Sequence, residues 1–195
     1  MMTSFYHAHL TLVIGGTRSG KSRFAETLCS RLQEQTGLAV TYLATAPELD
    51  EEMKARIHIH RERRPGHWIT VEETSRVAET IRSHPNVQGI LLIDCLTLLV
   101  GNWLYEEQTV GQESSLEERI QKRADDLLAA CQEYPHPVVI VSSEVGLGIV
   151  PASKEVRDYR DALGLMNQRV ARCADAVYAV ISGIPIDLKQ WEVRL

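Results

Sequence analysis

Eight residues near the start, GGTRSGKS, fit the spacing G-x-x-x-x-G-K-[ST]. Each position has a chemical use. Gly15 and Gly20 allow a tight loop, and the amides of Gly16, Thr17, Arg18 and Ser19 between them can turn inward toward phosphate oxygens. Lys21 is placed to reach terminal phosphates, and Ser22 offers a hydroxyl to Mg²⁺. That chemistry needs an acid at the end of a neighbouring strand. Asp94, which closes ILLID, fits. An Asp there can also simply cap the helix that follows. Glu144, which closes VVIVSSE, is the other strand-end acid. It can polarise a nucleophile or only fix the next loop, and its type and position do not choose between them.

The second concentration of chemistry is RIHIHRERRPGHW, from Arg56 to Trp68. On a helix, His58 and His60 are turned about 200° apart, so they cannot easily share an ion. The surrounding arginines also repel a cation, and no metal site is expected from these histidines. Two readings stay open. One is a solvated basic helix end that complements the helix dipole. In the other, arginine forks hold phosphate oxygens while a histidine attacks phosphorus. Like charges around it would keep that histidine neutral.

These groups need a scaffold, and the hydrophobic pattern supplies one. Short apolar runs at 10–15, 38–46, 89–94, 137–145 and 175–183 read as buried strands, and 67–73 alternates like a shorter one. Helical spacing is expected over 20–35, 47–64, 74–84, 96–107, 114–134 and 154–174. Ser115 and Glu118 have the spacing of a capping box. Residues 109–113 read as a loop, and the tail from Ile186 could add an edge strand. Continuous apolar strands alternating with helices predict an α/β fold. Its sheet would be mainly parallel, with helices on both faces. No linker or repeat divides the chain, so residues 1–195 are expected to form a single domain.

The bulk numbers exclude several classes. A net charge of -5 disfavours broad nucleic-acid binding. The most apolar stretch, GILLIDCLTLLVGNWL, is under 18 residues and contains Asp94, so stable membrane insertion is not expected. The N-terminus has no basic n-region, and no signal peptide is expected. Four cysteines without a C-x-x-C pair suit a reducing cytoplasmic location.

The segments LVIGGTRSGKSRFAE, YLATA, DEEMKARIHIHRERRPGHWITVEE, LLIDCLT, SSEVGLGIVP, RDYRDALGLMNQR and ADAVYAVISG occur in this order. Together they resemble the bifunctional adenosylcobinamide kinase / adenosylcobinamide-phosphate guanylyltransferase family of cobalamin biosynthesis. The resemblance runs over about residues 10–184. It implies a RecA-like P-loop NTPase fold and a homotrimer. It implies phosphorylation of adenosylcobinamide with ATP or GTP, with Mg²⁺. It also implies transfer of GMP from GTP through a GMP–histidine intermediate. Matched by position, the nucleophile is His60. The nucleotide site would comprise Gly15 to Ser22, Ala44, Thr45, Ala46, Arg61, Glu62, Arg63, Arg64, Glu72 and Asp94. Two alternatives stand beside it: a P-loop small-molecule kinase without guanylyl transfer, and a RecA-like ATPase that serves as a binding module.

Overall fold

The computed structural model describes residues 8–47, 51, 54, 61, 62, 64–108 and 115–193. The strands are β1 (Leu10–Gly15), β2 (Val40–Ala44), β3 (Ile69–Glu72), β4 (Ile90–Asp94), β5 (Val138–Ser143), β6 (Ala176–Ile181) and β7 (Ile184–Asp187). The helices are α1 (Lys21–Thr36), α2 (Val77–Ser83), α3 (Leu96–Gln108), α4 (Leu116–Glu133) and α5 (Lys154–Cys173). A short 3₁₀ turn covers Lys189–Trp191. Most of the helix expected over 47–64 and the loop expected over 109–113 lie outside the described residues.

The strands form one sheet in the order β3-β2-β4-β5-β1-β6-β7. Every pairing is parallel except β6–β7. Because successive side chains point to opposite faces, each central strand feeds two cores. Leu10, Leu12, Leu91, Ile93, Val138 and Ile140 pack on the side of α3, α4 and α5. Val13, Ile90, Leu92, Val139 and Val141 pack with Leu28, Cys29 and Leu32 of α1 on the other. Burial on both faces is why these strands read as unbroken apolar runs rather than as alternation.

Element ends follow local chemistry. Gly37, at φ 71°, closes α1 in the left-handed region, and its N–H donates to Gln33 O. Helix α4 opens on the full capping box: Ser115 accepts from the Glu118 amide, and Glu118 accepts from the Ser115 amide. Helix α2 starts later than its spacing suggested, because the Glu73 carboxylate takes the N–H groups of Ser75 and Arg76 first. Strand β3 is shorter than 67–73. His67 and Trp68 leave it to meet Gln33, whose Oε1 accepts from Trp68 Nε1 at 3.2 Å. The tail does contribute an edge strand, but it begins at Ile184, before the expected Ile186, and carries Pro185 where no ladder partner is lost on the outer side.

Candidate functional site at the carboxyl edge of the sheet

Register brings the candidate residues to one edge. Gly15 ends β1 opposite Ser143 of β5. Asp94 ends β4 opposite Ala44 of β2, and Ala44 also faces Glu72 of β3. The carboxyl ends of five adjacent strands therefore carry Gly15, Ser143, Asp94, Ala44 and Glu72. Open α/β sheets bind ligands along this edge.

The phosphate loop occupies the turn from β1 to α1. Gly20 sits at φ 95° and Arg18 at φ 56°, so the loop passes through the left-handed region twice. Gly15 has no room for a side chain: a Cβ would stand 2.5 Å from both Ser19 Oγ and Val180 O. Ser19 Oγ is buried with no hydrogen-bond partner among the described residues. The turn between β6 and β7 supports the loop from the side, with the Gly183 N–H donating to Ser19 O at 2.8 Å. Gly16, Thr17 and Arg18 are exposed. Lys21 Nζ folds back to donate to Gly16 O at 3.2 Å.

Beneath the loop lies the acid. Ser22 Oγ donates to Asp94 Oδ1 at 3.5 Å, and Tyr42 OH donates to Asp94 Oδ2 at 2.9 Å. Asp94 thus faces Ser22 and Tyr42 rather than acting as a helix cap. Burial, and then the Asp94 charge, push the Tyr42 phenol far above its ordinary pKa, so it stays a neutral donor. The Arg64 guanidinium stacks 3.7 Å over the Tyr42 ring and donates to Thr70 Oγ1 at 3.3 Å. Burial lowers the Arg64 pKa, and the nearby Arg61 charge adds to that. An anion bound beside it would offset both effects. Arg61 pairs with Glu72. Glu62 is exposed and helical. His58, His60 and Arg63 lie outside the described residues.

Thr45 is the hinge pin between β2 and β4. Its buried Oγ1 accepts from the Cys95 N–H and donates to Cys95 O, both at 2.7 Å. Asn102 Nδ2 holds Thr45 O at 3.1 Å and Thr74 O at 2.8 Å. Ala44 and Ala46 flank Thr45 and are half-buried. Cys95 is no thiolate here: burial, then the Asp94 charge, raise it to about 11.

Glu144 extends the edge beyond Ser143. Its N–H donates to Gly15 O at 3.2 Å, and its Oε1 accepts from the Gly146 N–H at 2.6 Å. It therefore fixes the following loop, one of the two roles its position allowed. Sequence reasoning missed Tyr42, Asn102 and the β6–β7 turn. Tyr42 shares β2 with a second hydroxyl, that of Thr41, so its type and position do not mark it. The other two act across large sequence separations.

Ser22 and Asp94 supply hard oxygens close together, a donor set that fits Mg²⁺ with phosphate oxygens and water completing the shell. Among the described residues there is no group of three or more His, Cys, Asp or Glu side chains that could hold a metal by themselves.

A family model described as cobinamide kinase / cobinamide phosphate guanyltransferase matches residues 11–188. The chain belongs to the cobinamide kinase / cobinamide phosphate guanyltransferase family. Relatives in that family include the bifunctional adenosylcobalamin biosynthesis protein CobU of Escherichia coli K12. It is 40% identical over 185 residues, which is 92% of this chain and 99% of that protein. The corresponding protein CobP of Pseudomonas aeruginosa is 41% identical over 178 residues, 91% of this chain and 96% of its own length. Among solved structures, the flagellar accessory protein FlaH of Methanocaldococcus jannaschii is similar. Its TM-score is 0.50 at 13% identity, covering 91% of this chain and 74% of that one. That likeness concerns the fold alone, a RecA-like P-loop architecture. The family match and the phosphate loop agree on nucleoside triphosphates as substrates.

Proposed function

We propose that the protein is a bifunctional transferase that assembles the nucleotide loop of cobalamin. In the first reaction it phosphorylates the hydroxyl on the aminopropanol arm of adenosylcobinamide, using ATP or GTP. In the second, a histidine nitrogen attacks the α-phosphorus of GTP. The bond to the β-phosphate breaks and pyrophosphate leaves. The corrinoid phosphate then displaces the histidine, giving adenosylcobinamide-GDP and restoring the free imidazole. We assign the nucleophile to His60 by its place in the family motif.

The observation that carries this reading is the chain of contacts from Arg64 through Tyr42 and Asp94 to Ser22. It brings Arg64, at the end of the histidine-bearing segment, beside the phosphate loop, which supports one nucleotide site for both chemistries. Loop amides and Lys21 would hold the phosphates, and Arg61, Arg63 and Arg64 would offset charge developing on them. Glu62, Glu72, Ala44, Thr45 and Ala46 would shape the nucleotide site. Ser22 and Asp94 would hold Mg²⁺, which supplies charge neutralisation and orientation of the phosphates.

A reducing cytoplasmic location and assembly as a homotrimer belong to the same reading. No helix among the described residues is long and apolar enough to cross a membrane. No nucleic acid is required as a partner. The test is product formation. Purified protein with adenosylcobinamide and ATP should yield the phosphate ester, and further addition of GTP should yield adenosylcobinamide-GDP and pyrophosphate. Ester without GDP product would leave a kinase alone. Neither product, with hydrolysis stimulated by DNA, would favour an ATPase binding module.

A further inference from the structure

We propose that the corrinoid ring is held by the loop from Gly146 to Pro151 together with the groove that opens beside it between α3, α4 and α5. The proposal rests on the kinase and guanylyltransferase reading above and deepens it, since no residue has so far been assigned to the larger substrate.

The loop presents apolar side chains to solvent. Leu147 is 92% exposed, Ile149 95% and Val150 72%. This is not a slack connection. Arg157 Nη1 donates to Pro151 O at 2.9 Å and to Ala152 O at 2.7 Å. Arg160 donates from Nη1 to Ile149 O and from Nη2 to Gly146 O, both at 2.8 Å. Glu144 takes the Gly146 N–H. Five hydrogen bonds with a charged partner thus hold the backbone while its largest apolar groups point away from the core. A loop that merely joined β5 to α5 would have no need of this.

A groove of about 760 Å³ adjoins it. Leu104, Leu116, Ile120 and Met166 give it apolar walls, Gln121 and Gln168 give it neutral amides, and Glu117, Lys154, Asp158, Arg160, Asp161 and Arg169 add three acids and three bases, with Lys154 paired to Asp158 and Arg169 to Asp125. Gly146 and Arg160 belong both to this wall and to the braced loop, so the two surfaces are continuous. Helices α4 and α5 each lead back into the parallel strands β5 and β6. Their N-termini therefore lie at the carboxyl edge of the sheet, and the groove starts at the nucleotide end of the molecule. The Glu144 N–H on Gly15 O joins the loop directly to the phosphate site.

The apolar and amide parts of the lining, continuous with the exposed loop, suit a corrinoid. A corrinoid is a broad ring, apolar on its methylated surface and fringed with amide arms. Apolar side chains would cover the ring, and glutamines would meet the amides. Its aminopropanol arm would then extend past Glu144 toward the phosphate loop. A second copy of the chain fits less well. Three exposed side chains offer a few hundred Å² at most, well below the roughly 800 Å² per partner of a stable protein interface. A larger apolar set for that purpose, Ile184, Ile186, Trp191 and Val193, lies at and beyond the β7 edge.

The test is equilibrium dialysis of cobinamide, read by its visible absorbance, against the full chain and two variants. One carries Leu147→Ser with Ile149→Ser, at exposed positions. The other carries Leu165→Glu, on the groove wall and 40% exposed. Each should weaken cobinamide binding by about tenfold or more. A fluorescent GTP analogue should bind all three proteins within about twofold, and light scattering should give them one mass. Unchanged cobinamide affinity in both variants would overturn the proposal and leave the proposed activity standing. A fall in mass would overturn it too, by showing that the surface packs a second copy. If the unaltered protein binds no cobinamide, the proposed function fails along with it.

Discussion

Asp94 shows how a single carboxylate can be prepared for its work. One oxygen faces Ser22, and the other is held by Tyr42, whose ring carries the Arg64 guanidinium. Tyr42 is 4% exposed, so its hydroxyl makes this bond away from bulk water. Tyr42→Phe keeps the ring and the stack but leaves Asp94 short of a donor. A hydrogen bond to a charged group is worth about 1.5–3 kcal/mol. Urea unfolding should show a loss of that order, and the KM for the nucleoside triphosphate should rise several-fold. An unchanged unfolding midpoint and KM would make Tyr42 a spectator. That the glycine loop, Lys21, Ser22 and Asp94 would gather at one edge of the sheet was legible from type and spacing, because a glycine loop between strand and helix and an acid at a strand end both mark that edge. Tyr42 was not, because nothing local to β2 announces that its hydroxyl will meet a carboxylate fifty-two residues away.

At the scale of elements, the strands and helices follow their hydrophobic periods, and the boundaries follow side-chain chemistry. Helix α4 begins where Ser115 and Glu118 satisfy each other's amides, as their spacing predicted. Ser115→Ala removes half of that box and should cost about 1 kcal/mol, read as a lower urea midpoint with an unchanged m-value. No change would mean that packing of α4 against α3 and α5 alone sets its start. The boundaries that the pattern placed wrongly were displaced by longer-range partners. Glu73 delays α2 by taking two amides, and Gln33 draws Trp68 away from β3. The support that the β6–β7 turn gives the phosphate loop, through Gly183 and Val180, is a property of the assembled sheet and of no single segment.

At the scale of the whole molecule, the sheet order separates β1 from β4 by the single strand β5. The phosphate loop, Asp94 and Glu144 thus stand on three neighbouring strands at one edge. Parallel strands and both-face burial could be read from the sequence. The strand order could not, since apolar runs of similar composition do not state who pairs with whom. The same arrangement bears on the two reactions. Arg64, which follows His60 closely in the sequence, lies within the contact network of the phosphate site. The central claim is that this one site forms a covalent bond to GMP through His60. It is tested most directly by incubating the protein with [α-³²P]GTP and Mg²⁺, then comparing the full chain with His60→Ala and His58→Ala. The account predicts an acid-labile, base-stable label in the unaltered protein and in His58→Ala, lost in His60→Ala. A His60→Ala protein that labels normally, while His58→Ala does not, would contradict it.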